Sequence, residues 1–169
     1  DIIGKFGVRG VIGQGGMASV FEVSNVRLPR RFALKVITAA DARSAEYLLR
    51  FRREAEILAT LEHPNLVSVS DYNIAPSGQP YLVMELLAGE DLASFLHRSG
   101  ALPLKVALSI FTQAASALQL VHGRGITHRD LKPANLFLCK NGMVPHYTKV
   151  LDFGIAKSDC HSQALITDH

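Results

Sequence analysis

His128-Arg129-Asp130-Leu131-Lys132-Pro133-Ala134-Asn135 packs one acid, two bases, an amide and a proline into eight residues, and the apolar run Leu136-Phe137-Leu138 follows it. A second acid arrives at Asp152, in Val150-Leu151-Asp152-Phe153-Gly154. This order of groups suits phosphoryl transfer. One carboxylate sits near an attacking hydroxyl and a lysine neutralises the moving phosphate. An amide and a second carboxylate are hard oxygen donors of the kind that hold magnesium.

The order and spacing of these residues resemble the catalytic loop and the magnesium loop of the eukaryotic-type (Hanks-type) protein kinases. Lys132, two residues after Asp130, looks like the serine/threonine rather than the tyrosine kinases. The resemblance implies that Asp130 orients the substrate hydroxyl and accepts its proton. It implies that Lys132 stabilises the γ-phosphate, and that Asn135 and Asp152 hold Mg2+ (or Mn2+). His128 is expected to be structural, packed near Phe153. Arg129 is expected to be regulatory, meeting a phosphate on the activation loop. Ser158, Ser162 and Thr167 are the candidate phosphorylation sites downstream of Gly154.

Working outward toward the N-terminus, Phe6, Val8, Gly10 and Ile12 alternate as in a strand. Gly13-Gln14-Gly15-Gly16-Met17-Ala18-Ser19-Val20 comes next, and glycines let a backbone approach a phosphate. A nucleotide-binding P-loop requires Gly-Lys-Ser/Thr, and this run has no lysine. A dinucleotide fold requires a helix after the glycines, whereas Ser19-Val20-Phe21-Glu22-Val23 reads as a strand. The resemblance implies a strand–loop–strand hairpin over ATP. Ala18 replaces the family's third glycine, and Gly16-Met17 looks like the bacterial serine/threonine kinases.

Arg31 to Ile37 reads as a third strand, in which Ala33 and Lys35 share a face. Asp41 to Leu61 reads as a helix with Leu48, Phe51, Ala55, Leu58 and Leu61 along one stripe. Glu54 shares Leu58's side of that helix, while Glu56 lies about 200° away from Glu54. By resemblance Glu54 pairs with Lys35 and aims it at the α- and β-phosphates. Leu66 to Val69 and Tyr81 to Met84 read as two more strands. Met84 then backs the adenine pocket, and Glu85-Leu86-Leu87 is the hinge. Hinge backbone groups are expected to bind the adenine edge, so that side-chain identity there matters little. Val20, Ala33 and Phe137 are expected to sandwich adenine, with Ile12 at the lip. Asp91 either reaches the ribose or simply favours the start of the next helix. Leu58, Val69, His128 and Phe153 are expected to stack into a column linking two lobes.

Asp91 to Arg98 and Pro103 to His122 read as helices, the second burying Val106, Ile110, Ala114, Leu118 and Val121. The expected fold is α+β and two-lobed. Residues 1–87 form an N-lobe of five antiparallel strands and one helix. Residues 88–169 form the first part of a mainly helical C-lobe. The resemblance runs from Phe6 to Lys157. An Ala-Pro-Glu-like motif and further helices would follow in the family, so this chain alone is expected to be a weak or inactive fragment. Val106, Ile110, Leu118 and Leu136 are then expected to lie partly exposed.

The bulk composition agrees with a globular domain: 169 residues, of which 48% are hydrophobic. A net charge of +3 is too small to argue for nucleic acid. Two cysteines, Cys139 and Cys160, make no metal-ligand spacing, and the plain expectation is a reduced, cytoplasmic chain. No apolar run approaches the length of a membrane span, and no membrane contact is expected from this segment, although bacterial relatives often carry a span after the kinase. The expected function is ATP-dependent phosphorylation of protein serine and threonine. Two other functions share parts of the pattern. A non-catalytic ATP-binding scaffold is opposed by the intact Lys35, Asp130, Asn135 and Asp152. A small-molecule phosphotransferase is opposed by Arg129 and Lys132-Pro133.

Overall fold

The computed structural model describes residues 2–3, 5–26, 30–38, 42–140 and 144–152. Six antiparallel strands form the first sheet: β1 (Ile2–Ile3), β2 (Phe6–Gln14), β3 (Ala18–Asn25), β4 (Arg31–Ile37), β5 (Val69–Ile74) and β6 (Pro80–Glu85). Their order is β1-β2-β3-β4-β6-β5. The five strands expected from the alternation are all present, and β1 adds two residues to the edge. The β2–β3 hairpin carries the glycine-rich loop, with Val20 opposite Gly13 on one side and Lys35 on the other.

The helix α1 (Ala45–Ala59) packs on β5 and β6. It starts later than Asp41 because Ser44 caps it, its hydroxyl accepting the Tyr47 N–H at 3.2 Å. It ends where Thr60 turns back onto the Ile57 carbonyl, just ahead of His63-Pro64. Tyr47, Phe51, Ala55 and Leu58 are its buried residues. They pack with Ala33, Leu82 and Met84 from the sheet, apart from Leu58, which joins the core below.

The fourth strand departs from the sequence expectation. It begins at Val69 rather than Leu66, because the backbone of Leu66 and Val67 is used elsewhere. Leu66 bridges Val150 in parallel, and the Val67 N–H donates to the Val150 carbonyl at 3.1 Å. Asn65 reinforces this contact from a buried position, its amide donating to Gln113 Oε1 at 3.0 Å and to the Thr148 carbonyl at 2.8 Å. Segment 65–67 is therefore fastened to the second half of the molecule, although it leads into the first sheet.

That second half contains α2 (Leu92–Ser99), α3 (Leu104–His122) and a small sheet of β7 (Gly89–Asp91), β8 (Leu136–Cys139) and β9 (Tyr147–Val150). Gly89 has no room for a side chain, since a Cβ there would overlap the Leu138 carbonyl oxygen across the β7–β8 pair. Ile110, Ala114, Ala117 and Val121 of α3 pack with Leu92, Leu136, Leu138 and Val150 in one core. Ile110 and Leu136 are thus buried, against the expectation of partial exposure. The exposed apolar side chains of α3 are instead Leu104, Leu108 and Phe111. The reason is rotational: the helix turns its Ile110–Val121 stripe fully onto the small sheet, and Leu104, Leu108 and Phe111 fall outside it. Contrary to the expectation from apolar runs, α3 is long and apolar enough to cross a membrane, with a mean hydropathy of 1.4. Its Ile110–Val121 stripe is core of this domain.

Candidate active site

A short 3-10 turn at Pro133–Asn135 follows the end of α3 and feeds directly into β8. This geometry brings Asp130, Lys132 and Asn135 to one side of a cleft, and β9 delivers Asp152 to the same place. The cleft has a volume of about 620 Å³. Its lining consists of Gly13, Gln14, Gly15, Gly16, Met17, Ala18, Val20, Lys35, Asp91, Asp130, Lys132, Ala134, Asn135 and Asp152. Residues more than a hundred positions apart in sequence thus meet in one cavity.

Asp130 is held from two sides. Lys132 Nζ reaches its Oδ2 at 2.9 Å. The buried Asn135 amide donates to its carbonyl at 2.7 Å and to its Oδ2 at 3.3 Å. Both bonds use the Asn135 nitrogen. The Leu151 N–H donates to the Asn135 carbonyl at 2.8 Å, locking the loop to the strand that leads into Asp152. Both Arg129 (φ 58°) and Asp152 (φ 47°) occupy the left-handed backbone region, an uncommon conformation that sets the direction of each side chain.

His128 is structural, as expected. It is 3% exposed, and burial pushes its imidazole below the usual histidine range. In the neutral ring the Nε2–H donates to the Leu151 carbonyl at 2.8 Å, which leaves Nδ1 to accept the Asp130 N–H at 3.4 Å. Leu58 and Val69 sit in the adjoining core. The fourth member of the expected column, Phe153, lies outside the described residues, as do Ser158, Ser162 and Thr167.

The ion pairs differ from expectation. Lys35, with its side chain 11% exposed, pairs with Asp152 Oδ1 at 2.8 Å rather than with Glu54. Glu54 Oε1 instead meets Arg129 Nη1 at 3.5 Å. Arg129 was expected to serve a phosphate. Here its guanidinium meets Glu54 of α1, while the Lys35 ammonium meets Asp152.

Of the two alternatives for Asp91, the structure shows the helix start. Its carboxylate caps α2, accepting the Ser94 N–H at 2.9 Å and the Ser94 hydroxyl at 2.6 Å, while the residue also lines the cleft. Burial alone would raise its pKa, but the hydrogen bonds from Ser94 and Ala93 win and hold it below the usual carboxylate range. In the glycine loop, the Gly15 N–H is spent on the Ala18 carbonyl at 2.9 Å, so that amide closes a turn. Gly16 has open space on its Cβ side.

The adenine-side residues are only partly gathered. Val20 lines the cleft. Ala33 and Met84 are buried and paired across β4 and β6. Phe137 stands opposite Asp91 in the small sheet, and Ile12 is half exposed. Ile12, Ala33, Met84, Glu85, Leu87 and Phe137 are not among the residues that line the cleft. Ala134 does line it and was not singled out from the sequence. Its signal was its place between Pro133 and the candidate ligand Asn135. Among the described residues, no group of three or more His, Cys, Asp or Glu is gathered for a metal. The Asn135 oxygen and the Asp152 carboxylate are among the hard oxygen donors of the cleft, and they fit a cation sharing its shell with phosphates and water.

Residues 6–167 match the family described as the protein kinase domain. The chain belongs to the protein kinase domain family. Among curated relatives, this kinase domain is 42% identical over 159 residues to the serine/threonine-protein kinase PknA of Mycobacterium tuberculosis, covering 92% of this chain and 36% of that protein. It is 43% identical over 151 residues to PknB of Mycolicibacterium smegmatis, covering 88% of this chain and 24% of that protein. The chain therefore spans about a third of the PknA relatives it matches and a quarter of PknB. Among solved structures, the M. tuberculosis PknI kinase domain superposes with a TM-score of 0.82 at 34% identity, covering 93% of this chain and 61% of that one. Rad53 1–466 in complex with AMP-PNP superposes with a TM-score of 0.76 at 31% identity, covering 89% and 38%. The fold is that of a protein kinase, with an antiparallel strand-rich lobe and an incomplete helical lobe.

Proposed function

We propose that this chain is the nucleotide-binding and catalytic part of a protein serine/threonine kinase that uses ATP with Mg2+ (or Mn2+). The observation that carries the reading is the convergence of Lys35, Asp130, Lys132, Asn135 and Asp152 with the glycine-rich loop on one cleft. Residues 1–87 supply the loop, Lys35 and the hinge, and residues 88–169 supply the catalytic loop and Asp152. Asp130 accepts the proton of a serine or threonine hydroxyl as its oxygen bonds to the γ-phosphorus. The bond from that phosphorus to the bridging oxygen of ADP breaks in the same displacement. Lys132, already beside Asp130, offsets the negative charge at the γ-phosphate. Lys35 binds the phosphates from the sheet side. The Asn135 oxygen and the Asp152 carboxylate are the groups that would hold a divalent metal ion, which would supply positive charge to offset that of the phosphates.

The PknA and PknB names support a protein rather than a small-molecule acceptor. The cytoplasm, which supplies MgATP, is the proposed site of action, and cell fractionation tests it. The activity is tested by incubating the full-length protein with γ-labelled MgATP and either a serine/threonine peptide or an aminoglycoside. Label on the peptide supports the proposal. Label on the aminoglycoside alone, or peptide label that survives Asp130→Asn unchanged, would refute it.

A further inference from the structure

Glu85 ends β6 and opens the hinge, where only backbone groups were expected to matter. Its side chain is nonetheless committed. Oε1 accepts the Ser68 N–H at 2.8 Å and Lys149 Nζ at 2.6 Å. Lys149 Nζ also donates to the Leu66 carbonyl at 3.1 Å. The Glu85 N–H donates to the Ser68 carbonyl at 3.0 Å, so side chain and backbone grip the same residue.

The two halves of this grip belong to different parts of the molecule. Glu85 is the last residue of β6 paired to β4, in the first sheet. Lys149 lies in β9, opposite Phe137, three residues before Asp152. The segment that contains Leu66 and Ser68 is fastened to β9 through Val67 and Val150. The Glu85 carboxylate is thus the point where the end of the first sheet is pinned to the small sheet.

An exposed ion pair of this type would contribute little. This one is sheltered, with the side chains 14% and 28% exposed. Its acceptor oxygen is shared with a backbone amide, and its ammonium also serves a carbonyl, so the geometry is set by four groups rather than two. A segment that is ordered before its ligand arrives loses less conformational freedom on binding.

We propose that Lys149 and Glu85 are positioning residues: their ion pair holds the Glu85–Leu87 backbone against β9 and thereby sets the affinity for the adenine part of the nucleotide. The inference rests on the kinase reading above. It needs no contact between either side chain and the nucleotide.

The test is steady-state kinetics with varied ATP on the full-length protein. Lys149→Met is expected to raise KM for ATP about three- to tenfold, the scale of ordering one segment, with a smaller effect on kcat. Combining it with Glu85→Gln is expected to raise KM no further than the larger single change, because both remove one interaction. Lys149→Arg, which keeps a donor for Glu85, is expected to recover most of the affinity. Hydrogen exchange of the Ser68 amide is expected to quicken in Lys149→Met and Glu85→Gln. If Lys149→Met does not fold, the isosteric Glu85→Gln carries the same test. An unchanged KM in a folded variant, or a fall in kcat alone, overturns the inference and leaves the kinase reading standing. A wild-type protein that does not bind MgATP overturns the kinase reading itself.

Discussion

The exchange of ion-pair partners can be measured. Lys35 Nζ and Asp152 Oδ1 are 2.8 Å apart, with side chains 11% and 34% exposed. At an effective dielectric constant of about 20, two unit charges at that distance attract by about 6 kcal/mol, and in bulk water by about 1.5 kcal/mol. Desolvation of the largely buried ammonium offsets much of the larger figure. A net coupling of about 1–2 kcal/mol follows. Glu54 and Arg129 are 3.5 Å apart and more exposed, at 21% and 38%, which places them near the ordinary surface value of about 0.5 kcal/mol. The assay is a set of double-mutant cycles read by urea unfolding, with Lys35→Met, Asp152→Asn, Glu54→Gln and Arg129→Met. The Lys35/Asp152 cycle is expected to show the largest coupling, Glu54/Arg129 a smaller one, and Lys35/Glu54 the least. A Lys35/Glu54 coupling larger than the Lys35/Asp152 coupling would refute this partner assignment.

Three further outcomes are expected. Asp130→Asn keeps the shape of the loop but removes the proton acceptor, so phosphotransfer should fall by about 10²- to 10⁴-fold while ATP affinity changes little; equal losses in both would show that Asp130 acts through binding. Ile110→Ala empties a fully buried site between α3 and the small sheet, and should cost about 3 kcal/mol in denaturant unfolding, against a near-zero effect for the exposed Leu108→Ala. Burial lowers the folded-state pKa of His128, so the unfolded chain binds the proton more readily. The His128 contribution is therefore complete above the unfolded value of about 6.5 and declines as pH falls from there through the lower folded value. The slope of unfolding free energy against pH over that window should flatten in His128→Asn, and an unchanged slope would contradict the assignment.

Much of the site was legible in the chain because its chemistry is local. The spacing from Asp130 to Asn135, the Asp-Phe-Gly at 152–154 and the glycine run at 13–16 are short patterns in which each residue type has one physical use. The periodicity that placed α1 and α3 is local as well, since a helix sets its own register every few residues. The start of α1 was displaced by a cap, and the start of β5 by competition for the Leu66 and Val67 backbone. Neither competitor is visible in periodicity, because one is a single hydroxyl and the other is a strand some eighty residues away.

What only the tertiary structure decided is which charges meet. Lys35, Glu54, Arg129 and Asp152 are two cations and two anions that permit more than one pairing, and sequence order carries no distance between them. The structure shows one of these pairings, at two residues whose backbone is left-handed, Arg129 and Asp152. The same holds for Glu85 and Lys149, which are 64 residues apart and belong to different sheets. The sequence alone singled out the residues proposed to do the chemistry, because that choice depends on functional groups at fixed spacing. How they are held depends on side chains that reach across the cleft between two sheets, and only packing sets that distance.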